Sequence, residues 1–304
     1  MKKIETTAII GMGALGLLYG TYIIDKKGAD GVSYIMNTER AVKYRNQVFY
    51  KNEEPYIFRI CDSKDIKPVD LLIVAVKFNG LEAAIEEMTG CIGEGTIIVS
   101  VLNGISSEDM IAKRYGREHL IDTVAQGMDA MKFGDELNFT KMGELRIGAK
   151  EECQRENLEA VKVYFDEIAM PYTEDEDIVH RMWGKFMLNV GVNQACMMYE
   201  TNYHGCLMPG EPNRTMIAAM REVIALGQAE GVRLGEKDLN EYITLLQTLS
   251  PEGMPSMRQD GVARRRSEVE MFAGTVLQLA KKHEILAPAN QYLYDRIKEM
   301  EAGY

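Results

Sequence analysis

Basic residues are in short supply. In 304 residues, 35 Lys and Arg stand against 46 Asp and Glu, a formal net charge of -11. Nucleic-acid binders usually draw on a positive surface, so this balance weighs against that class and no nucleic-acid partner is expected, although a local basic patch can still hold a phosphate. Cysteine is sparse: Cys61, Cys91, Cys153, Cys196 and Cys206 are scattered, odd in number and without zinc-ligand spacing. That usage reads as a reduced thiol set in a cytoplasmic protein. The four histidines are equally dispersed, so no metal site is expected. Long uncharged runs are lacking as well. Only Thr6 to Ile24 approaches the roughly 20 apolar residues of a membrane span.

That run contains AIIGMGALGLLYGTYII. Gly11, Gly13, Gly16 and Gly20 make a poor isolated helix, and Tyr22-Ile23-Ile24-Asp25 makes a poor signal cleavage site. A buried strand within Ile4–Ile10, a glycine turn and a sheet-packed helix with Leu15, Leu18 and Tyr22 on one face account for it better. Gly11-Met12-Gly13-Ala14-Leu15-Gly16 is then a G-x-G-x-x-G dinucleotide turn. Gly11 permits the tight turn, Gly13 admits the pyrophosphate, and Gly16 lets helix and strand approach. Helix-start N–H groups hold the phosphates. A membrane or signal segment and a plain structural turn are the weaker readings, and no membrane association is expected.

Strands alternate with helices further on. VSYIMN (Val32–Asn37), DLLIVAVK (Asp70–Lys77) and TIIVSVLNG (Thr96–Gly104) read as strands, and LEAAIEEM (Leu81–Met88) as a helix. The expected fold class is α/β: an N-terminal Rossmann-type parallel sheet domain, 1–174, followed by an all-α domain, 175–304. Lys77 and Asn103 fall at strand carboxyl ends beside the glycine turn, where such sheets bind ligands. A solvated strand-end lysine and a turn-forming Asn-Gly are the bland alternatives. At the second strand's end Asn37 occupies the position of a ribose-binding acid, and Arg40 follows within reach of a 2′-phosphate. This favours NADPH (NADP+) over NAD, with Glu39 as a competing ribose ligand and a helix-face charge as the plain role of Arg40. Asp122–Gly148 reads as short strands and turns, with a helix at Glu151–Glu167 and a strand near Pro171–Thr173 completing the first domain.

The helix IVHRMWGKFMLNVGVNQACMMY (Ile178–Tyr199) is largely apolar, yet Lys185, Asn189 and Asn193 recur at i, i+4, i+8. One polar stripe results. It faces a polar cleft, or else internal partners satisfy it. Helices are expected at Asn213–Glu230, Glu236–Leu249 and roughly Asn290–Glu301. Another starts near Ser256, with Ser256 and Gln259 forming an S-x-x-Q capping box, and carries Glu268 three turns on. Arg264–Arg266 reads as a solvated face.

The chain resembles the ketopantoate reductases, 2-dehydropantoate 2-reductases, over nearly its whole length. The likeness rests on Gly11–Gly16, Val76-Lys77, Asn103-Gly104, WGKFMLNVGVN and PSMRQD...RRRSEVE...AG. It implies a Rossmann domain and a helical domain with the active site between them, and NADPH-dependent reduction of a small 2-oxo acid. Lys185 matches the catalytic lysine. Asn189, Asn193, Ser256 and Glu268 match substrate-binding positions. Lys77 and Asn103 line the cofactor and substrate junction, and Asp260 matches a further family position. On this basis Lys185 stabilises and protonates the developing alkoxide. Asn189 and Asn193 fix the substrate's hydroxyl or carbonyl, and Ser256 binds the carboxylate. Glu268 binds a distal hydroxyl and keeps Lys185 charged. Departures from the family pattern are Gly80, Leu102 and Pro255, Gln194 where proline commonly follows the asparagine, and the shifted basic residue. A sister 2-oxo acid reductase for branched or aromatic substrates and a non-enzymatic NADP-binding regulator are the alternatives. A homodimer is compatible with the sequence.

Overall fold

The computed structural model describes residues 2–304, which form two compact units. One runs through Asn103 and resumes at Ser107–Ile178; the other comprises Gly104–Ser106 and Val179–Tyr304.

The first unit is built on an eight-stranded sheet. In chain order its elements are β1 (Thr7–Ile10), α1 (Ala14–Lys27), β2 (Ser33–Met36), α2 (Thr38–Tyr44), β3 (Val48–Lys51), β4 (Glu54–Ile57), β5 (Arg59–Asp62), β6 (Leu71–Val74), α3 (Leu81–Glu87), β7 (Ile97–Ser100), α4 (Ser107–Tyr115), β8 (Leu120–Gln126), β9 (Met131–Phe133), β10 (Glu136–Asn138), β11 (Glu144–Gly148), α5 (Arg155–Glu167) and β12 (Tyr172–Glu174). The sheet order is β12-β11-β8-β7-β6-β1-β2-β5. Neighbours from β5 to β8 are parallel, and only β8–β11 is antiparallel. The uncharged N-terminal run is thus divided between β1, a turn and α1, and no helix among the described residues is long and apolar enough to cross a membrane.

Side chains alternate between two cores along these strands. Ile9, Ile73 and Val99 face one side with Leu17 and Leu18 of α1 and Val161 and Phe165 of α5. Ala8, Ile10, Leu72 and Ile98 face the other with Leu81 and Ile85 of α3 and Ile111 of α4. Burial on both faces is why the strands read as continuous apolar runs rather than alternating ones. Strand order reverses at β1, which lies between β2 and β6. That switch point places the turns after β1, β2, β6 and β7 along one carboxyl edge.

A second sheet, in the order β4-β3-β10-β9, was not expected from the sequence. Asn52 and Glu53 join β3 to β4 with φ of 46° and 73°, the left-handed pair a two-residue hairpin requires. Phe49 and Phe58 meet at a centroid distance of 5.5 Å, and Phe58 lies 4.7 Å from Tyr34, tying the small sheet to the large one.

The second unit is helical: α6 (Ile178–Met198), α7 (Tyr203–Leu207), α8 (Glu211–Ala229), α9 (Glu236–Gln247), α10 (Ser256–Val262), a π-helical turn at Glu270–Gly274, α11 (Thr275–His283) and α12 (Pro288–Glu301). Phe186, Met187, Val190 and Cys196 of α6 and Met216, Met220 and Val223 of α8 are buried.

Two local expectations fail around α10. Pro255 takes the N-cap position and offers no side-chain cap, so Ser256 becomes the first helical residue and the expected capping box does not form. Gln259 instead donates to the Met254 carbonyl at 3.1 Å. Nor does α10 continue to Glu268. It ends in a Schellman motif: Arg265 N–H donates to Asp260 O at 2.9 Å and Arg264 N–H to Gly261 O at 3.1 Å. Arg264 supplies the left-handed residue, φ 50°. Glu268 therefore sits in a bend ahead of the π turn. The arginine run is more than a solvated face: Arg264 bonds the Gly303 carbonyl and Arg265 pairs with Asp260 at 2.8 Å.

Candidate active site

The glycine turn follows from contacts a side chain would break. A Cβ on Gly11, whose φ is +108°, would lie 2.4 Å from the Ala75 carbonyl oxygen. One on Gly16 would lie 2.1 Å from the Gly11 carbonyl oxygen, and that site is closed by the approach of α1 to the turn. Gly13 differs. Its φ is -77°, and the nearest atom to a Cβ there is 3.8 Å away. Packing within the unit gives no reason for glycine at 13, whereas close approach by a ligand does. No acidic residue and no side-chain cap occupies the first turn of α1, so its N–H groups remain available to a phosphate. This cradle fits a dinucleotide pyrophosphate. Met12 is buried at the turn, and Ala14 and Leu15 open the helix.

The other first-unit residues lie along the same edge. Val74 pairs with Ser100 across β6 and β7, and Lys77 and Asn103 each lie three residues beyond that pair. The backbone of Ala75 and Val76, which leads to Lys77, packs against Gly11. After β2, the Asn37 side chain caps α2 by accepting from Arg40 N–H at 3.1 Å, and donates to Glu87 at 2.9 Å. Committed to the cap, Asn37 is poorly placed to serve a ribose. Arg40 is exposed, with its guanidinium 5.9 Å from the Tyr44 ring centroid.

In the second unit the stripe on α6 forms as its spacing predicts. Lys185 is half-buried, while Asn189 and Asn193 are 8% and 5% exposed. Interhelix bonds do not satisfy the asparagines: among the described residues neither side-chain amide finds a hydrogen-bond partner, and neither is sealed from solvent. Nearly buried amides left unpaired are suited to a polar ligand. Loss of water lowers the pKa of Lys185 to about 8, and the negative charge of Glu268 opposes that fall. The fold thus brings Glu268 within electrostatic reach of Lys185, even though it lies on no common helix with Ser256. The Ser256 hydroxyl is exposed and, among the described residues, unpartnered. Asp260, 5% exposed, holds Arg265 at the Schellman turn and so has a structural task.

One residue beside the stripe entered the sequence reading only as a departure from the family pattern, without a structural role. Gln194 is completely buried and bonds three other groups in this unit.

Comparisons with known proteins bear on both units. Residues 7–152 match the family described as ketopantoate reductase PanE/ApbA, and residues 177–301 match its C-terminal family. A 2-dehydropantoate 2-reductase of Streptococcus pyogenes serotype M3 is 25% identical over 301 residues, 97% of each chain. Among solved structures, D-mandelate dehydrogenase with NADH and anilino(oxo)acetate superposes with a TM-score of 0.86 at 18% identity, covering 98% of this chain and 99% of that one. A dimeric ketopantoate reductase of Staphylococcus aureus gives a TM-score of 0.80 at 20% identity, with 98% and 99% covered. These structural likenesses show the fold.

Proposed function

The chain belongs to the ketopantoate reductase family of oxidoreductases, and from that premise we propose that it reduces 2-dehydropantoate to pantoate with NADPH, in pantothenate and coenzyme A biosynthesis. In this reading it is a cytoplasmic homodimer. Residues 1–174 form the NADP-binding domain and 175–304 the substrate domain. The observation that carries the reading is the pair of nearly buried asparagines, without side-chain partners among the described residues, on one helix face with a lysine whose pKa is about 8.

NADPH, when bound, supplies the hydride. Gly11–Gly16 and the N-terminus of α1 hold its pyrophosphate, Arg40 pairs with its 2′-phosphate, and Lys77 and Asn103 flank it. Ser256 donates a hydrogen bond to the 2-oxo acid carboxylate, while Asn189 and Asn193 bind the substrate's carbonyl or hydroxyl oxygen. Hydride addition to the keto carbon leaves an alkoxide. Lys185 stabilises that charge as an ammonium and gives its proton to the oxygen, then recovers one from solvent. Glu268 accepts from a distal hydroxyl and favours the protonated lysine.

The test is NADPH oxidation with 2-dehydropantoate beside branched and aromatic 2-oxo acids, repeated with NADH. The reading expects 2-dehydropantoate and NADPH to give the highest kcat/KM. Preference for an aromatic 2-oxo acid would move the chain to a sister activity. Arg40→Ala should raise KM for NADPH about tenfold and leave KM for NADH nearly unchanged, since one charge-assisted contact is lost.

The pH profile follows from Lys185. Reduction needs the protonated lysine, so kcat/KM for reduction should fall as pH rises through about 8, and pantoate oxidation should rise over the same interval. Glu268→Gln removes the charge that favours protonation and should move both midpoints to lower pH. A flat reductive profile between pH 6 and 9.5 would remove Lys185 from the acid's role.

A further inference from the structure

Gln194 directly follows Asn193 on α6, at a position where the family pattern commonly has proline. Its Nε2 donates to the Val190 carbonyl at 2.8 Å and to Asn290 Oδ1 at 3.3 Å, and its Oε1 accepts the Ala273 N–H at 3.2 Å. The Ala273 amide needs such a partner. Phe272 N–H reaches back four residues to the Glu268 carbonyl at 3.1 Å, and Gly274 N–H reaches back five to Val269 at 3.0 Å. Where the step widens from four to five, the amide between the two donors is left out of the ladder. Such π turns recur at functional sites. Here the omitted amide is held by Gln194.

The far end of the contact is fixed as well. Asn290 Nδ2 donates to Glu222 at 2.7 Å and to the Ala219 carbonyl at 3.2 Å. The same Glu222 carboxylate accepts the backbone N–H groups of Ala289 and Asn290 at 2.7 and 2.9 Å, capping α12. A buried network with every member satisfied is rigid. Glu268 is one helical hydrogen bond from Phe272, the neighbour of Ala273.

We propose that Gln194 is a positioning residue: by holding the Ala273 amide it fixes the segment bearing Glu268 against the helix bearing Lys185, Asn189 and Asn193, and so sets the strength with which Glu268 acts on Lys185. The inference rests on the roles assigned above to Lys185 and Glu268. The proline ring carries no polar atom to make this contact, so the device is absent wherever proline stands at this position. The negative charge of Glu268 acts on Lys185, opposing the effect of lost water.

The experiment titrates the Lys185 amine directly, by NMR of ε-15N-lysine protein, with the resonance assigned through Lys185→Arg. No substrate is needed, so the titration decides the inference even if no 2-oxo acid is turned over. Gln194→Met keeps side-chain length and removes all three hydrogen bonds. Its Lys185 midpoint should fall by about half a pH unit or more as Glu268 loosens. In a Glu268→Gln background the same replacement should produce no further fall, because the charge it acts through is gone. An unchanged midpoint in folded Gln194→Met, or an equal fall in both backgrounds, overturns the proposal. If Gln194→Met does not fold, amide exchange at Ala273 in the unaltered protein decides. Protection equal to that of Phe272 supports the contact, and exchange at the unprotected rate overturns it.

Discussion

Replacing Lys185 by alanine is expected to lower kcat for 2-oxo acid reduction by about 10²–10⁴-fold, the range a positioned general acid supplies. NADPH affinity should stay within about twofold, because the cofactor set assigned above lies on the glycine turn, Lys77, Asn103 and Arg40, all in the first unit. The fold should tolerate the change. Alanine is the best helix former, and the substitution removes a cation whose pKa of about 8 shows that its environment already disfavours the charge. Lys185→Arg separates charge from proton donation. A guanidinium keeps the positive charge but holds its proton far too tightly to release it near neutrality, so it should recover electrostatic stabilisation and little of the turnover. Initial rates at saturating NADPH, with cofactor affinity from fluorescence titration, measure both effects. Turnover within threefold of the unaltered protein in Lys185→Ala would end the assignment.

The parts of the fold that were legible in the sequence are those where burial writes a pattern. Thr7–Ile10, Leu71–Val74 and Ile97–Ser100 are buried at every position, so their apolar runs stood out. The stripe on α6 was legible because 3.6 residues per turn converts a spacing of four directly into a face. β3 and β4 were not. Their hairpin turns on Asn52-Glu53 instead of the usual Asn-Gly, and Pro55 sits in the edge strand β4, where its missing N–H costs nothing but weakens the strand signal. The stop after α10 was hidden for a similar reason: Arg264 adopts the left-handed conformation normally given to glycine, so the sequence marks no end there. Ser256 and Gln259 carried the spacing of a capping box, but Pro255 took the cap position first. The contact of Gln194 with Ala273 spans 79 residues and depends on a π turn that no periodicity announces.

The three motif glycines should respond to alanine in two different ways. Gly11→Ala forces a left-handed φ of +108° on a side-chain-bearing residue and places its Cβ 2.4 Å from the Ala75 carbonyl oxygen. Gly16→Ala places a Cβ 2.1 Å from the Gly11 carbonyl oxygen. Both clashes are with backbone, which cannot rotate away, so each should cost about 2–4 kcal/mol or more and lower the melting temperature by roughly 5–15 °C. Gly13→Ala meets nothing closer than 3.8 Å and already has a φ of -77° that alanine adopts freely. Its melting temperature should stay within a degree or two. Yet the added methyl stands where the pyrophosphate must approach, so NADPH affinity should fall at least about tenfold, equivalent to about 1.4 kcal/mol. Stability and affinity are thereby separated: loss of stability reports glycines required by the chain itself, and loss of affinity alone reports the glycine required by the ligand. Thermal melts and cofactor titrations on the three variants make the comparison. If Gly13→Ala binds NADPH as tightly as the unaltered protein, the turn after β1 does not hold the pyrophosphate, and the cofactor assignment fails with it.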